Sequence, residues 1–195
     1  MKDLVTSLRL VAMSIFACCI AYPAAIWAFG QIISPAEAQG SLIRNSQGHI
    51  IGSTLIAQQF TKPEYFWPRP SAANYDATAA TGSNLSPASP LIRERAENIL
   101  GRLNLKNIDV SADMLTASGS GLDPHISLDS AMIQVSRIAQ ARGLDDRQVE
   151  NLVKQYVNSE SLKCFWSKPI VNVFRLNVAL DQLIQDGPQL KKRSN

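Results

Sequence analysis

From Leu10 to Ile33 the chain runs for 24 residues without a charge, as LVAMSIFACCIAYPAAIWAFGQII. No other feature limits the fold so severely. Coiled as an α-helix, such a run extends about 36 Å, enough to cross a hydrocarbon core of roughly 30 Å with some tilt. Pro23 falls near its middle, and a proline inside a spanning helix implies a kink. Trp27 and Gln31 mark the approach to an interface. The competing reading is a cleaved signal peptide, with Lys2 and Arg9 as its basic region and Ala36-Glu37-Ala38 as its cleavage site. The run exceeds the usual signal core of about 7–15 residues, which favours a retained anchor.

Flanking charge gives the orientation. Lys2 and Arg9 lie on the short N-terminal side, and no Lys or Arg follows the run until Arg44. Basic residues stay on the cytoplasmic side. The expected layout is therefore a cytoplasmic segment 1–9, a transmembrane helix 10–33 and an extracytoplasmic domain 34–195. Cysteine usage fits: Cys18 and Cys19 lie in the apolar run, leaving Cys164 as the lone thiol of the large domain. Beside Phe165 and Trp166, Cys164 reads as a buried small hydrophobe.

The exposed part, about 155 residues, is long enough for one sizeable core. Residues 41–58 place two apolar stretches around a Gly-containing turn, a hairpin signal. Phe60 to Ser71 reads FTKPEYFWPRPS; Pro63, Pro68 and Pro70 exclude a helix or a central strand. Its four aromatic residues must pack on the domain or on a partner. Four helices follow from their caps and periodicity. Ser89-Pro90 opens the first, with Ile92, Ala96, Ile99, Leu100 and Leu103 on one face. Ser127 opens the second, which Gly143 stops. An Asp145–Gln148 capping box opens the third, with Val149, Leu152, Val153, Tyr156 and Val157 inward. Asn172 opens the fourth, with Val173, Leu176, Leu180, Leu183 and Ile184 inward and Gly187-Pro188 as its end. With β-rich stretches at 41–58 and around 108–118, the class is α+β: one N-terminal transmembrane helix followed by one compact α+β domain.

Chemistry is sparse. Nineteen Lys+Arg against sixteen Asp+Glu is too even for a dedicated nucleic-acid binder, and three Cys and two His leave no usual zinc set. Ser118, Asp123 and His125 fall within eight residues, in SGSGLDPH. A nucleophile set is assembled in space from separate elements, no G-x-S-x-G elbow is present, and the lysine of a P-loop is missing. An anion-binding nest in SGSG remains open. The favoured reading is a tight loop feeding the Ser127 cap, with Ser118, Asp123 and His125 as its organisers. The residues alone thus give a single-pass membrane protein with an external domain and no convincing catalytic or metal site.

Several motifs, in order, resemble one family: the C subunit of the Kdp-type potassium-transporting ATPase. They are Tyr22-Pro23, the stretches 40–43 and 52–58, and Tyr65-Phe66 with Arg69-Pro70-Ser71-Ala72. Further on come Gly82-Ser83-Asn84-Leu85, the stretch 117–127 running on to Ala131 and Gln134, the stretch 137–142, and the stretch 171–181. Ser167-Lys168-Pro169 departs from the Gly-Glu-Pro usual in the family, and Thr81 stands where a glycine is usual. The resemblance implies a non-catalytic subunit of an inner-membrane complex that imports potassium at the expense of ATP. Its partners would be the ion-conducting A subunit and the ATP-hydrolysing B subunit, with a small F subunit as a further candidate. It also implies an assembly role and a catalytic-chaperone role that raises the ATP affinity of the B subunit. Gln134 is the glutamine to which that nucleotide role would transfer.

The orientation conflicts with direct nucleotide contact, because an external domain cannot reach a cytoplasmic ATP site. Any ATP effect would then pass through the B subunit itself. A clamp on the extracellular mouth of the ion-conducting subunit is favoured, with Phe66, Trp67 and Arg69 as candidate contacts. The rivals are an anchored periplasmic hydrolase built on Ser118, Asp123 and His125, and a free periplasmic ligand-binding protein released by cleavage after Ala38.

Overall fold

The computed structural model describes residues 2–45, 47–103, 110–161 and 169–193, except the side chains of 158–161 and 184–193. Cys164, Ser167 and Lys168 lie outside the described residues, as do positions 108 and 109. The chain divides into two compact units, Met1–Ser53 and Thr54–Asn195.

In the first unit the apolar run belongs to a helical rod over Lys2–Ile33, of which no part of the most apolar window is buried within the protein. The rod is α1 (Lys2–Ile15), a π-helical turn over Phe16–Ala21, and α2 (Tyr22–Ile33). The π turn answers Pro23. Proline offers no N–H to the helix and its ring crowds the carbonyl four residues back. Widening the preceding turn, with Tyr22 N–H bonded to Ala17 O, lets the helix pass the proline. A short α3 (Pro35–Ala38) leads to the expected hairpin, β1 (Leu42–Arg44) antiparallel to β2 (Ile50–Ser53). A bulge lies between the Ile43–Gly52 and Arg44–Ile50 pairs.

The second unit is helical around a minimal sheet. The sequence signals for helix starts hold. α4 spans Pro90–Leu103. Ser127 Oγ accepts from Ser130 N–H at 3.1 Å, opening α6 (Leu128–Met132). Gln148 Oε1 accepts from Asp145 N–H at 3.1 Å, opening α8 (Asp146–Ser161). Asn172 Oδ1 accepts from Arg175 N–H at 3.1 Å, opening α9 (Val173–Arg193). Between α4 and α6 lie α5 (Ala112–Leu115) and β3 (His125–Ser127). Between α8 and α9 lies β4 (Ile170–Asn172), antiparallel to β3 with Ile126 opposite Val171.

Three expectations need correction. The stretch around 108–118 holds the helical turn α5 rather than a strand, and the second sheet is the β3–β4 pair instead. The helix expected between Ser127 and Gly143 is two helices, α6 and α7 (Val135–Arg142). They break where Gln134 N–H bonds Ala131 O, a tightened i→i−3 turn. α9 runs past Gly187-Pro188; a proline removes one backbone donor, a loss that a helix with turns on both sides can absorb.

The core lies between β3–β4 and α6–α9, with Ile126, Ile138, Val153, Val171, Leu176 and Leu180 essentially inaccessible. α4 differs: of its apolar residues only Leu103 is fully buried, while Ile92, Ala96, Ile99 and Leu100 are half-buried.

Candidate functional site

The proline-rich segment cannot join a sheet, yet its backbone polar groups still need partners. Side chains supply them, most from α7, α9 and the junction before α7. Carbonyls of six successive residues, Lys62 to Trp67, each accept a hydrogen bond. Lys62 O accepts from the Trp67 indole at 3.0 Å. Arg137 donates to Pro63 O and to Tyr65 O. Arg142 Nε donates to Glu64 O at 2.6 Å.

The last two residues are held by amides in a pairing that imitates a β-bridge. Asn177 Oδ1 accepts from Phe66 N–H at 2.8 Å while its Nδ2 donates to Phe66 O at 3.0 Å. Gln134 repeats this at Trp67, accepting from N–H at 2.8 Å and donating to the carbonyl at 3.2 Å. Gln134 is fully buried. Its Oε1 also accepts from Arg137, and its Nε2 also donates to Ser130 O at 3.1 Å. The amide read as nucleotide-related is committed to holding the segment.

The candidate contacts separate accordingly. Phe66 is 0% exposed and belongs to the core, which corrects its reading as a partner contact. Its backbone is drawn inward by Asn177, and the ring follows. Trp67 remains partly exposed, with the Arg137 guanidinium 4.1 Å and that of Arg102 4.7 Å from its ring centroid. Such cation–π contacts contribute about 0.5–2 kcal/mol each. Arg142 covers the Tyr65 ring at 4.7 Å and pairs with Asp181 at 2.8 Å. Tyr65 donates to the same carboxylate at 3.1 Å.

The organisers meet at the other end of the segment. Asp123 pairs with Arg69 at 3.1 Å and with the His125 ring at 3.2 Å, and accepts from His125 N–H at 3.0 Å. Burial alone would raise the Asp123 carboxyl. The bonds from His125 and the charges of His125 and Arg69 outweigh it and hold the group below the ordinary carboxylate range. Ser118 is buried, and its hydroxyl accepts from Asp123 N–H at 3.5 Å. The serine thus meets the backbone of Asp123 and the histidine meets its carboxylate. A nucleophile triad needs the histidine between the two. The same loop is pinned by Ser71, whose hydroxyl donates to Gly121 O at 2.6 Å, and by Thr81 N–H on Ser120 O at 2.9 Å. Gly121 has φ +70°, and a Cβ there would meet Thr81 O at 2.7 Å, so the close approach requires glycine.

Asp113 was not singled out in the sequence. It accepts from Ser127 N–H at 2.7 Å and from the Ser127 and Ser130 hydroxyls, and so joins α5 to the start of α6. Burial would raise it; the hydrogen bonds from Ser111, Ser127 and Ser130 bring it below the ordinary value. Arg137, Arg142 and Asn177 lay inside recognised stretches without an assigned role. Among the described residues no group of three or more His, Cys, Asp or Glu could hold a metal ion.

Beside Trp67, between the segment and α4, lies an open cavity of about 500 Å³. Phe60, Trp67, Tyr75, Ile99 and Arg102 are among its walls.

Comparison with known proteins matches the arrangement to one family. Residues 4–182 fit the family model described as K+-transporting ATPase, c chain. The chain is 44% identical over 188 residues to the potassium-transporting ATPase KdpC subunit of Parvibaculum lavamentivorans, covering 96% of this chain and 100% of that one. It is 42% identical to the KdpC subunit of a Synechocystis species, over 92% of this chain and 98% of the relative. The Shewanella putrefaciens KdpC subunit is also 42% identical, over 92% and 91%. The motifs that suggested the resemblance thus belong to a match over nearly the full length, and the chain belongs to the KdpC family, the C subunits of the potassium-transporting ATPase.

Proposed function

We propose that this chain is the non-catalytic assembly subunit of its potassium-transporting ATPase, anchored by residues 10–33 with the N-terminus cytoplasmic and residues 34–195 outside the inner membrane. In this reading it clamps the extracellular mouth of the ion-conducting A subunit. The ATP-hydrolysing B subunit and a small F subunit complete the assembly. The observation that carries the reading is the side-chain clasp on residues 62–67. It fixes the turn at 62–65 and the two residues after it at low residual entropy and leaves the Trp67 ring, flanked by arginines, partly exposed. Rigid aromatic and arginine side chains dominate binding energies at protein interfaces.

Trp67 is the contact, and Arg69, tied to Asp123, keeps its loop in place. Gln134 acts as a peg rather than a nucleotide ligand, because releasing its amide would release Trp67. Any rise in ATP affinity of the B subunit is then indirect, passed on through the assembled complex.

The test is co-purification from membranes of potassium-limited cells using the tagged full-length chain. Trp67→Ala should weaken assembly by about 1–3 kcal/mol while the chain stays folded. If Trp67→Ala lowers the thermal midpoint of the isolated chain with no separate loss of co-purified subunits, Trp67 is a packing residue and the docking reading fails. Protease added to intact spheroplasts checks the orientation: digestion of the large domain is expected, and protection until lysis would reverse it.

A further inference from the structure

Two observations beside Trp67 are unexplained by the clasp. The first is shape. The cavity of about 500 Å³ is walled on one side by α4, which presents Leu91, Arg95, Asn98, Ile99 and Arg102 to it at successive helical turns. Leu91 is 56% exposed, whereas Ile99 is partly buried against the core, so the cavity wall is apolar and open at the Leu91 end. The second is charge. Among the described residues, Arg95 and Arg102 make no hydrogen bond or ion pair. Arg102 shares the Trp67 ring with Arg137, whose own donors go to neutral acceptors: Pro63 O, Tyr65 O and Gln134 Oε1. Burial first, and the nearby Arg102 charge second, lower Arg137 to about 10. Among the described residues, the one acid lining the cavity, Glu94, is exposed and pairs with neither arginine. Two guanidinium groups on one aromatic ring repel each other, and an anion seated beside them would offset that repulsion.

We infer that the cavity between α4 and residues 59–75 seats an acidic, apolar-flanked peptide segment of a partner subunit, its carboxylate on Arg102 and Arg95 and its apolar side chains on Leu91 and Ile99. This rests on the docking reading above and adds the chemistry of what docks. Carboxylate recognition by a guanidinium fork is geometrically specific, and the open, half-apolar wall suits a loop inserted side-on.

The test is photo-cross-linking in the assembled complex purified from membranes, with benzoylphenylalanine in place of Leu91 and, as a control outside the cavity lining, in place of the exposed Gln140. A partner-subunit peptide containing Asp or Glu should be captured at Leu91. In parallel, Arg95→Gln with Arg102→Gln should lower the co-purified subunits about tenfold, with the thermal midpoint of the full-length chain held within about 2 °C. Capture at Leu91 of lipid, of this chain itself or of a partner peptide without an acid overturns the inference, as does an unchanged yield in the double variant. Partner capture at Gln140 alone overturns the cavity but leaves docking standing. A complex that forms with no partner capture at either position defeats the docking reading as well.

Discussion

Replacing Gln134 with alanine separates two roles for one residue. The side chain is fully buried and makes hydrogen bonds to the N–H and carbonyl of Trp67, to Ser130 O and to Arg137. Truncation leaves those groups without their partner at the junction of α6 and α7. An orphaned buried polar group costs about 1–3 kcal/mol. Trp67 is only partly buried, so water can repair part of the loss. Two groups at the lower end plus about 1 kcal/mol of lost packing give about 3 kcal/mol for Gln134→Ala. At this chain length that is a fall of about 10 °C in thermal midpoint. Gln134→Glu keeps the acceptor toward Trp67 N–H and Arg137 but turns a second acceptor toward two carbonyls, so an intermediate loss is expected. The assay is thermal unfolding of the full-length chain in detergent, followed by the near-ultraviolet signals of its three tryptophans. A Gln134→Ala midpoint within about 1 °C of the parent would refute the peg and return Gln134 to the surface chemistry of a ligand contact.

Other consequences can be checked singly. Gly121→Ala should cost about 2–4 kcal/mol, because the positive φ and the contacts with Thr81 and Ala73 both oppose a Cβ. Gly143→Ala, with φ +66° but open space, should cost only about 1 kcal/mol; equal midpoints for the two variants would contradict this. Asp123 has a folded pKa below its unfolded one, so its stabilisation is full above about pH 4 and lost as the pH falls through the lower folded value. Asp123→Asn should therefore flatten the acid limb of the midpoint-versus-pH curve below about pH 4, and an unchanged limb would contradict the pairing with Arg69 and His125. Ala25→Arg should impair insertion by about 2.5–3.5 kcal/mol, read as loss of the chain from the membrane fraction, and normal recovery there would count against a spanning role for Lys2–Ile33.

The helix starts were legible because capping is local. Ser127, Asp145 with Gln148, and Asn172 each bond within three residues, and the sequence shows those spacings directly. The β3–β4 pair was not legible: its three-residue strands are too short for a period and meet across more than forty residues of chain. The site was half legible. Its loops stood out as special, but the clasp joins elements that are distant in sequence. A signal did exist. Gln134 and Asn177 are amides set among apolar residues that face the core, and a buried amide must find partners. A segment with three prolines must find them too. Joining those two needs would have placed Phe66 and Trp67 on the amides, and Phe66 in the core.

Amide hydrogen exchange of residues 62–75, in the free full-length chain and in the assembled transporter, tests docking by this segment most directly. Slower exchange is expected across Trp67 to Tyr75 in the complex, with α8, which makes no hydrogen bond to the segment among the described residues, unchanged. Identical exchange of the segment in both states, with new protection only elsewhere on the domain, would contradict it.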